Sequence, residues 1–310
     1  MRERLAAVSV DLDEIPCYSA IHGLEPPSEG AARAIYRRAL PRLVELFDSL
    51  GVPSSFFAIG ADIDEENALR LRELAERGHE IGNHTLSHRY DLTELSREAM
   101  VAEVRGGADR IEAACGHRPV GFRAPGYTIT DTLFSVLADE GVGYDSSVFP
   151  CPAYYGAKAA AIAWIRARGR QSHSVLDHPR VLSCPADPYR VGRPYPRRGE
   201  GVMELPVGVT RGARLPYIGT SVVLAGPLGA RALTRGIIGR PLVNLELHGI
   251  DLADADEDDL AFLRPHQPDL RRRVADKRAA LVAAISGLER AGYRFVTLAE
   301  AAEHFASRPS

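Results

Sequence analysis

The feature that most constrains the fold of this 310-residue chain is a repeated alternation of strand-type and helix-type segments. Short apolar runs such as "LAAVSV" and "PSSFFAIG" have the composition of buried strands, whereas "EENALRLRELAERG" has helical spacing and a closing glycine. Strands that alternate with helices are typical of βαβ units, in which crossover helices join parallel strands. We therefore predict an α/β fold built on a parallel sheet or barrel.

The alternation is interrupted between about residues 150 and 220. The stretch "CPADPYRVGRPYPRRGEG" is dense in proline, which removes the backbone donors that helices and central strands need. The first loop, through residue 30, is also expected to be irregular. A helix follows this loop, and Pro41 within it should kink or restart it. Because no linker or repeat divides the chain, we expect one domain, residues 1–310, with an elaborated insertion at about 150–220.

Composition argues against several classes of protein. An apolar fraction of 45% and a charged fraction of 25% are ordinary for a globular protein, and a net charge of −3 gives no attraction to nucleic acid. No apolar run reaches the roughly 18 residues that span a bilayer, and the first residues lack the apolar core of a secretory signal. We expect no nucleic-acid partner, no transmembrane segment and a cytoplasmic location. The four cysteines form no C-x-x-C pair, and we expect free thiols.

Ionisable residues stand at or just after the ends of several predicted strands. They are Asp11, Asp13, His84, His88, Arg123 and His248. In α/β barrels and open sheets the carboxyl ends of the strands carry the chemistry, so these side chains are expected to converge. Two imidazoles and one carboxylate can bind catalytic Zn²⁺ or non-haem Fe(II) while leaving positions open for water and substrate. Taken singly, each residue also has a structural explanation, such as a loop cap, a surface ion pair or a core histidine.

Five short motifs in this order resemble those of the polysaccharide deacetylase family, the NodB-homology group of carbohydrate esterases that act on N-acetylated sugars. The segment "SVDLDE" resembles the first motif, "HTLSH" matches the second, "RAP" the third and "LHG" the fifth, while "YDSS" resembles the fourth. The closing "GYRFVTLAEAAEHF" is similar to the family's last strand and helix. The resemblance implies a distorted parallel (β/α) barrel of about seven strands, with its site at the carboxyl ends of the strands.

The resemblance also implies a role for each matching residue. Asp13, His84 and His88 would bind one divalent metal ion, with Zn²⁺ the expected ion. Asp11 would be the general base and Arg123 would hold it in an ion pair. His248 would be the general acid.

Further matches would shape the substrate site: Gly126, Tyr127, Leu247 and Asp145. Many members carry an aromatic residue where this chain has Gly126. The backbone amide that helps to bind an oxyanion survives this change, but the aromatic wall of the site would differ.

The implied function is metal-dependent hydrolysis of an N-acyl group, acetyl or formyl, from an amino sugar or a sugar-containing intermediate. Two alternatives stay open: a hydrolase of a non-sugar C–N amide bond, similar to allantoinase, and a catalytically silent sugar-binding homologue on the same fold. An Fe(II) oxygenase would leave Asp11, Arg123 and His248 without a task.

Two segments bear on the substrate and its surroundings. Arg190, Arg193, Arg197 and Arg198 have a composition suited to binding a phosphate or lipid-linked phosphate on the substrate, although a solvated loop explains them equally well. The run "SVVLAGPLGARALTRGIIG" fits either peripheral membrane contact or a buried barrel helix. The sequence does not define the number of subunits.

Overall fold

A computed structural model describes residues 3–307, and within them one sheet forms the centre of the molecule. Its strands are β1 (Leu5–Asp11), β2 (Ser54–Ala58), β3 (Glu80–Asn83), β4 (Gly121–Phe122), β5 (Tyr144–Asp145), β6 (Tyr189–Val191), β7 (Arg198–Glu204), β8 (Leu242–His248) and β9 (Arg294–Phe295). The order across the sheet is β6-β7-β5-β4-β3-β2-β1-β8, and β9 also pairs with β1. The path from β7 to β8 is parallel throughout, and β6 is antiparallel to β7.

Helices surround this sheet. They are α1 (Ile15–His22), α2 (Glu29–Ala32), α3 (Leu40–Leu50), α4 (Glu65–Glu76), α5 (Arg97–Cys115), α6 (Asp131–Asp139), α7 (Pro152–Ala167), α8 (Gly219–Ile237), α9 (Val274–Arg290) and α10 (Leu298–Ala306). Within residues 3–307, no helix combines the length and apolar character that a bilayer crossing requires.

The curled sheet confirms the predicted parallel α/β barrel, and its distortion lies where β7 and β8 would meet. These two strands do not pair directly. Instead, the segment after β7 runs beside β8, where the Gly208 amide donates to the Asn244 carbonyl at 2.9 Å and Ile218 forms an isolated parallel bridge with Glu246. A Cβ at position 208 would collide with the Asn244 carbonyl oxygen, so this close approach requires glycine.

The central strand β1 sets the position of the future site. All seven of its residues are buried, as expected for a parallel strand that is covered on both faces. Its register pairs Asp11 with Phe57 of β2 on one side and with His248 of β8 on the other. The carboxyl ends of these three strands therefore lie at one level, and the residues that follow them share one end of the barrel.

One difference from the sequence prediction and one confirmed expectation lie before β2. The expected loop through residue 30 contains α1, whose proline stands at the start of the helix and whose C-cap is Gly23 in the left-handed conformation. Proline and glycine therefore mark the ends of a short helix here, and not an irregular loop. The restart expected at Pro41 is present, because a π-helical segment, Ile35–Ala39, gives way to α3 with the proline in its first turn.

The insertion is more regular than its proline content indicates. It contains the 16-residue helix α7 and the antiparallel pair β6–β7. Further along, the run "SVVLAGPLGARALTRGIIG", which fitted either membrane contact or a buried helix, lies largely within α8. This helix packs against α9 and β8 and is kinked at Gly226 and Pro227. A short 3₁₀ turn, Pro268–Arg271, precedes α9, which begins at Val274.

Candidate metal centre and active site

Three potential metal ligands meet beyond the ends of β1 and β3. Asp13 lies in the loop after β1, and His84 and His88 lie in the loop after β3. The Nε2 atoms of the two histidines are 3.2 Å apart, and each lies 3.3 Å from Oδ1 of Asp13. All three side chains are buried. We call this group the Asp–His–His triad.

The donor atoms of the Asp–His–His triad fit one divalent cation. Two ligand atoms that are each about 2.1 Å from the same ion lie roughly 3.0 to 3.4 Å apart in octahedral or tetrahedral geometry, and all three separations fall in this range. Among the residues that the structure describes, Oδ1 of Asp13 has no hydrogen-bond donor. Burying such an oxygen is costly unless a cation compensates it. Nitrogen and carboxylate donors of this kind suit Zn²⁺.

Local hydrogen bonds hold the loop that carries the two histidines. The Thr85 amide donates to Oδ1 of Asn83 at 3.0 Å, and the His88 amide donates to Oγ1 of Thr85 at 2.9 Å. Thr85 and His88 both have positive φ, 68° and 54°, which is uncommon for residues other than glycine. The ring of His84 is fixed separately, because its Nδ1 lies 2.7 Å from the Arg123 carbonyl oxygen. Its other nitrogen therefore faces the triad.

Arg123 holds Asp11 from beneath the triad. Its Nη1 donates to Oδ1 of Asp11 at 2.6 Å, and its other nitrogens donate to Ser9 and Ser146 at 2.8 to 2.9 Å. The guanidinium is fully buried and stacks over the Phe57 ring at 4.2 Å. A surface ion pair is therefore excluded for Arg123. The second oxygen of Asp11 faces the triad, 3.8 Å from the nearer histidine nitrogen.

His248 lies at the end of β8, beside Asp11 in the register of the sheet. Its Nε2 is 4.0 Å from Oδ2 of Asp13, and its Nδ1 is 2.8 Å from Oε1 of Glu246, close enough for an ion pair although not aligned as a hydrogen bond. Its amide donates to Asp251 at 2.9 Å. The side chain is 24% exposed, so His248 is not a core histidine. It faces both the triad and solvent.

The electrostatics of the centre differ from one histidine to the next. Burial lowers the pKa of His84, but the nearby Asp11 and Asp13 outweigh it and raise the pKa. Burial lowers the pKa of His88 to about 4, so the ring is neutral near pH 7, which is the form that binds metal ions. Burial also lowers the pKa of His248, but the adjacent Glu246 outweighs it and the pKa lies well above its ordinary value. Burial alone would raise the pKa of Asp13, yet the neighbouring His88 and His84 hold it well below the usual range.

Gly126 leaves a space that an aromatic ring from another loop occupies. A Cβ at position 126 would lie 3.2 Å from Cδ1 of Tyr90 and 3.4 Å from Nζ of Lys158, and the glycine has a φ of 60°. The Tyr90 ring packs edge-to-face on His88, with ring centroids 4.8 Å apart. Lys158 of α7 donates to the Gly126 carbonyl at 2.9 Å. The wall that was expected to differ is therefore formed by Tyr90.

Tyr127 is buried in a small group of aromatic rings beside His248. Its ring centroid lies 5.6 Å from that of Phe149, 5.8 Å from that of Tyr154 and 6.3 Å from that of His248. All three contacts are edge-to-face, an arrangement that aromatic quadrupoles favour. Tyr127 therefore stabilises the surroundings of His248.

Two of the residues expected to shape the substrate site have no free surface there. Leu247 is fully buried in the main core, and because side chains alternate along a strand it points away from His248. Asp145 is also fully buried, and it accepts hydrogen bonds from the Ser147 amide at 3.1 Å and hydroxyl at 2.7 Å. A direct contact of either residue with substrate stays a prediction.

Sequence reasoning did not single out three residues of this region: Glu246, Tyr90 and Lys158. A signal was available for Glu246, because it precedes His248 by two positions on a strand and must share its face. No local signal marks Tyr90 or Lys158, since their positions beside Gly126 result from tertiary packing.

A cavity of about 900 Å³ opens beside the triad. His88 and Tyr90 line it, together with parts of α1, the loop after β3, α7 and residues 171–176. Its size is in the range of small-molecule sites, and its lining mixes apolar and polar side chains. The insertion therefore contributes to the site through α7 and the segment that follows it.

The arginines considered for phosphate binding lie elsewhere. Arg198 begins β7 and Glu204 ends it, and β7 is parallel to β5. Six residue steps join these positions (204 − 198), which is about 20 Å at the rise of an extended chain. Arg193 and Arg197 lie in the turn before β7, at the same far end. Arg190, on the adjoining β6, pairs instead with Met203 near the carboxyl end of β7, but its side chain is exposed and donates to the Gly201 carbonyl. The structure therefore does not gather these four side chains at the candidate site.

Comparison with known proteins agrees with this fold. Residues 33–144 match the family model described as polysaccharide deacetylase. The peptidoglycan deacetylase of Helicobacter pylori is 25% identical over 149 residues, which are 47% of this chain and 50% of that protein. The peptidoglycan-N-acetylglucosamine deacetylase of Bacillus cereus is 30% identical over 101 residues, 33% of this chain and 46% of that protein. The chain spans about half the length of the curated relatives it matches.

Solved structures extend the likeness over nearly the whole chain. A protein from Mycobacterium smegmatis, named as a candidate polysaccharide deacetylase, superposes with a TM-score of 0.61 at 18% identity and covers 100% of this chain and 95% of its own. A family 4 acetyl xylan esterase from Clostridium thermocellum, in complex with a cobalt ion, has a TM-score of 0.51 at 16% identity, with 99% and 93% covered. At these identities the structures show a shared fold.

The fold and the strand-end site define a NodB-type α/β barrel protein. The match of residues 33–144 and the curated relatives support a relationship of this chain to the polysaccharide deacetylase family.

Proposed function

We propose that this protein is a metal-dependent hydrolase that removes an N-acyl group, acetyl or formyl, from an amino sugar. One observation carries the proposal. The Asp–His–His triad is adjacent both to a carboxylate held by a buried arginine, Asp11, and to a histidine of raised pKa, His248. A metal site with a base and an acid beside it has the parts that amide hydrolysis needs.

The reaction adds water to the amide and yields a carboxylate and a free amine. A divalent ion on Asp13, His84 and His88, with Zn²⁺ the expected ion, would lower the pKa of a water toward about 7. Asp11 accepts the proton of the attacking water, and Arg123 keeps its carboxylate ionised and oriented. His248 donates a proton to the nitrogen of the leaving amine, which departs as the C–N bond breaks. The Gly126 amide is assigned as an oxyanion donor.

The cavity beside His88 is proposed to hold the part of the substrate that does not react. Its size and mixed lining suit a saccharide extending from the amino sugar. The proposal includes no phosphate on the substrate. Arg193, Arg197 and Arg198 lie at the far end of β7, and Arg190, which pairs with Met203, is exposed and donates to the Gly201 carbonyl. The cytoplasmic location stays a prediction.

The test is to incubate the purified protein, loaded with Zn²⁺ or Co²⁺, with N-acetylglucosamine oligomers and peptidoglycan fragments, and to measure released acetate and new amines. A His84→Ala, His88→Ala double variant should lose both the metal, by elemental analysis, and the activity while staying folded. Release of formate from N-formylglucosamine, with no acetate from the N-acetyl substrates, would make the acyl group formyl.

Three results would contradict this proposal. Full metal occupancy of the double variant would remove the triad as the metal site. Hydrolysis of a cyclic amide such as allantoin, with no action on the sugars, would favour the non-sugar amidase. Metal binding and saccharide binding without any hydrolysis would favour the silent homologue.

A further inference from the structure

Glu246 is a fully buried carboxylate that the proposed roles do not use. It lies on β8 two residues before His248, so the two side chains share one face of the strand. The register pairs Glu246 with Ser9 and His248 with Asp11. Glu246 therefore stands one layer deeper in the barrel than the site, directly below the histidine.

The ring of His248 is the close polar contact of this carboxylate. Its Oε1 lies 2.8 Å from Nδ1 of His248, and neither of its oxygens has a hydrogen-bond donor among residues 3–307. The nearby guanidinium of Arg123 is used by Asp11, Ser9 and Ser146. A carboxylate buried this completely is unfavourable without a partner, so its presence needs an explanation.

Other carboxylates at this end of the barrel do not reach the same ring nitrogen. Asp251 accepts the backbone amide of His248, and Asp13 lies 4.0 Å from its Nε2. Asp145, which motif resemblance brought to the site, is bound by Ser147. Within the part of the chain described here, Glu246 is the acidic side chain in contact with Nδ1.

We propose that Glu246 is the positioning residue of His248: its carboxylate pairs with the ring at Nδ1, 2.8 Å away, and so directs Nε2 toward the triad and the leaving amine. The proposal rests on the proposed function, in which His248 is the acid. A carboxylate behind a histidine fixes the tautomer and the orientation of its ring, as outer partners do at metal and triad sites. Glu246 acts through His248 and does not touch the substrate.

The kinetic test compares two substrates whose leaving groups differ. In Glu246→Gln, kcat for an N-acetylglucosamine oligomer should fall about 10- to 100-fold, with KM within about twofold. For p-nitrophenyl acetate, whose leaving group needs little protonation, the fall should stay below about threefold. In a His248→Ala background, Glu246→Gln should have no further effect, because the two residues act as one unit. Equal losses on both substrates, or additive losses, would overturn the proposal.

A matched control is Glu204→Gln. Glu204 is another fully buried glutamate, at the end of β7, and it accepts the Val148 amide at 3.0 Å. Burial, together with the neighbouring Asp145, raises its pKa well above the ordinary value, which favours the neutral form that glutamine resembles in shape. Rates in this control should stay within about threefold of the unmodified protein. A control as slow as Glu246→Gln would mean that any buried carboxylate here acts through folding alone.

A second readout needs no turnover. Long-range ¹H–¹⁵N spectra of the Zn²⁺-loaded protein should show His248 with a proton on Nδ1, and Glu246→Gln should change this protonation pattern. Identical His248 signals in both proteins would overturn the positioning role. Absence of hydrolysis in the unmodified protein, with the expected change in the spectra, would count against the proposed function and leave the positioning role supported.

Discussion

Asp11 and Asp13 are two residues apart, yet their surroundings differ sharply. Oδ1 of Asp11 accepts from Arg123 at 2.6 Å, whereas Oδ1 of Asp13 has no donor and lies 3.3 Å from the ring nitrogens of His84 and His88. The first aspartate is thus placed beside the triad and the second within it. The same chemical group can therefore act as a base in one position and as a ligand in the other.

Asp11→Asn should keep the metal and lose most of the activity. Asparagine preserves the shape of the side chain but cannot accept the proton of the attacking water, so kcat should fall about 10²- to 10⁴-fold. Asp13→Asn should instead reduce the bound metal. Elemental analysis and acetate release from the two variants check both statements. Loss of metal from Asp11→Asn but not from Asp13→Asn would mean that the two roles are exchanged.

The sequence was sufficient to locate the six polar residues at strand ends, because each belongs to a short motif. It was not sufficient for Tyr90, whose contact with Gly126 joins two loops 36 positions apart in the chain (126 − 90). For Leu247, by contrast, the sequence indicated a role in the site that its side-chain position does not support. Its place next to His248 indicated a role in the site, but strand alternation puts its side chain in the core.

Among the elements that the sequence prediction did not contain, α7 contributes most to the site. Its alanine-rich sequence begins with Pro152 and favours a helix, but the proline-rich segment after it dominated the prediction for the whole insertion. The helix lines the cavity through Ala159, Ile162, Ala163 and Arg166. Specificity for the distant part of the substrate should therefore depend on α7 more than on the β6–β7 pair.

Ala163→Trp tests this role of α7. An indole at this exposed position that lines the cavity should fill part of it, so kcat/KM for a long N-acetylglucosamine oligomer should fall about tenfold, equivalent to about 1.4 kcal/mol. Ala160→Trp is the matched control, because Ala160 is also exposed on α7 but does not line the cavity. Equal rates for the two variants on the long substrate would place the saccharide elsewhere.

At the scale of the whole molecule, the alternation of strands and helices predicted the parallel barrel correctly, but apolar runs do not give the lengths of its strands. The runs "VGFRAPG" and "VGYDSSVF" form only two-residue strands, β4 and β5. Their remaining residues leave the ladder to form the site and its hydrogen bonds, as Arg123 and Ser147 do. Apolar patterning measures burial, and burial persists here after strand pairing has ended.

Glu14 links the end of β1 to the helical segment before α3 and should make the stability of the whole fold depend on pH. Its carboxylate accepts the Ile35 and Tyr36 amides at 3.0 and 3.1 Å, and burial raises its pKa from 4.5 to about 7. Because the folded state holds this proton more tightly, its stabilising contribution is complete below pH 4.5 and is lost as the pH rises through 7.

The expected loss of unfolding free energy from this group is roughly 3 kcal/mol between pH 4.5 and 7, at about 1.4 kcal/mol per pH unit. In denaturant unfolding of Glu14→Gln across this range, the slope of unfolding free energy against pH should be less negative than in the unmodified protein, by up to about 1.4 kcal/mol per pH unit. Glu29→Gln, a change at an exposed glutamate, serves as the control and should leave the slope unchanged. A Glu14→Gln slope equal to that of the unmodified protein would exclude Glu14 as the source.

The contact between Gly126 and Tyr90 also limits the order in which these two positions can change during evolution or engineering. A side chain introduced at 126 while Tyr90 is present meets its ring at 3.2 Å in a backbone conformation that already disfavours it. Once Tyr90 has become small, the steric part of that penalty disappears and only the backbone part is left. A library that varies one position at a time would therefore reject replacements at 126 that become accessible when position 90 is changed first.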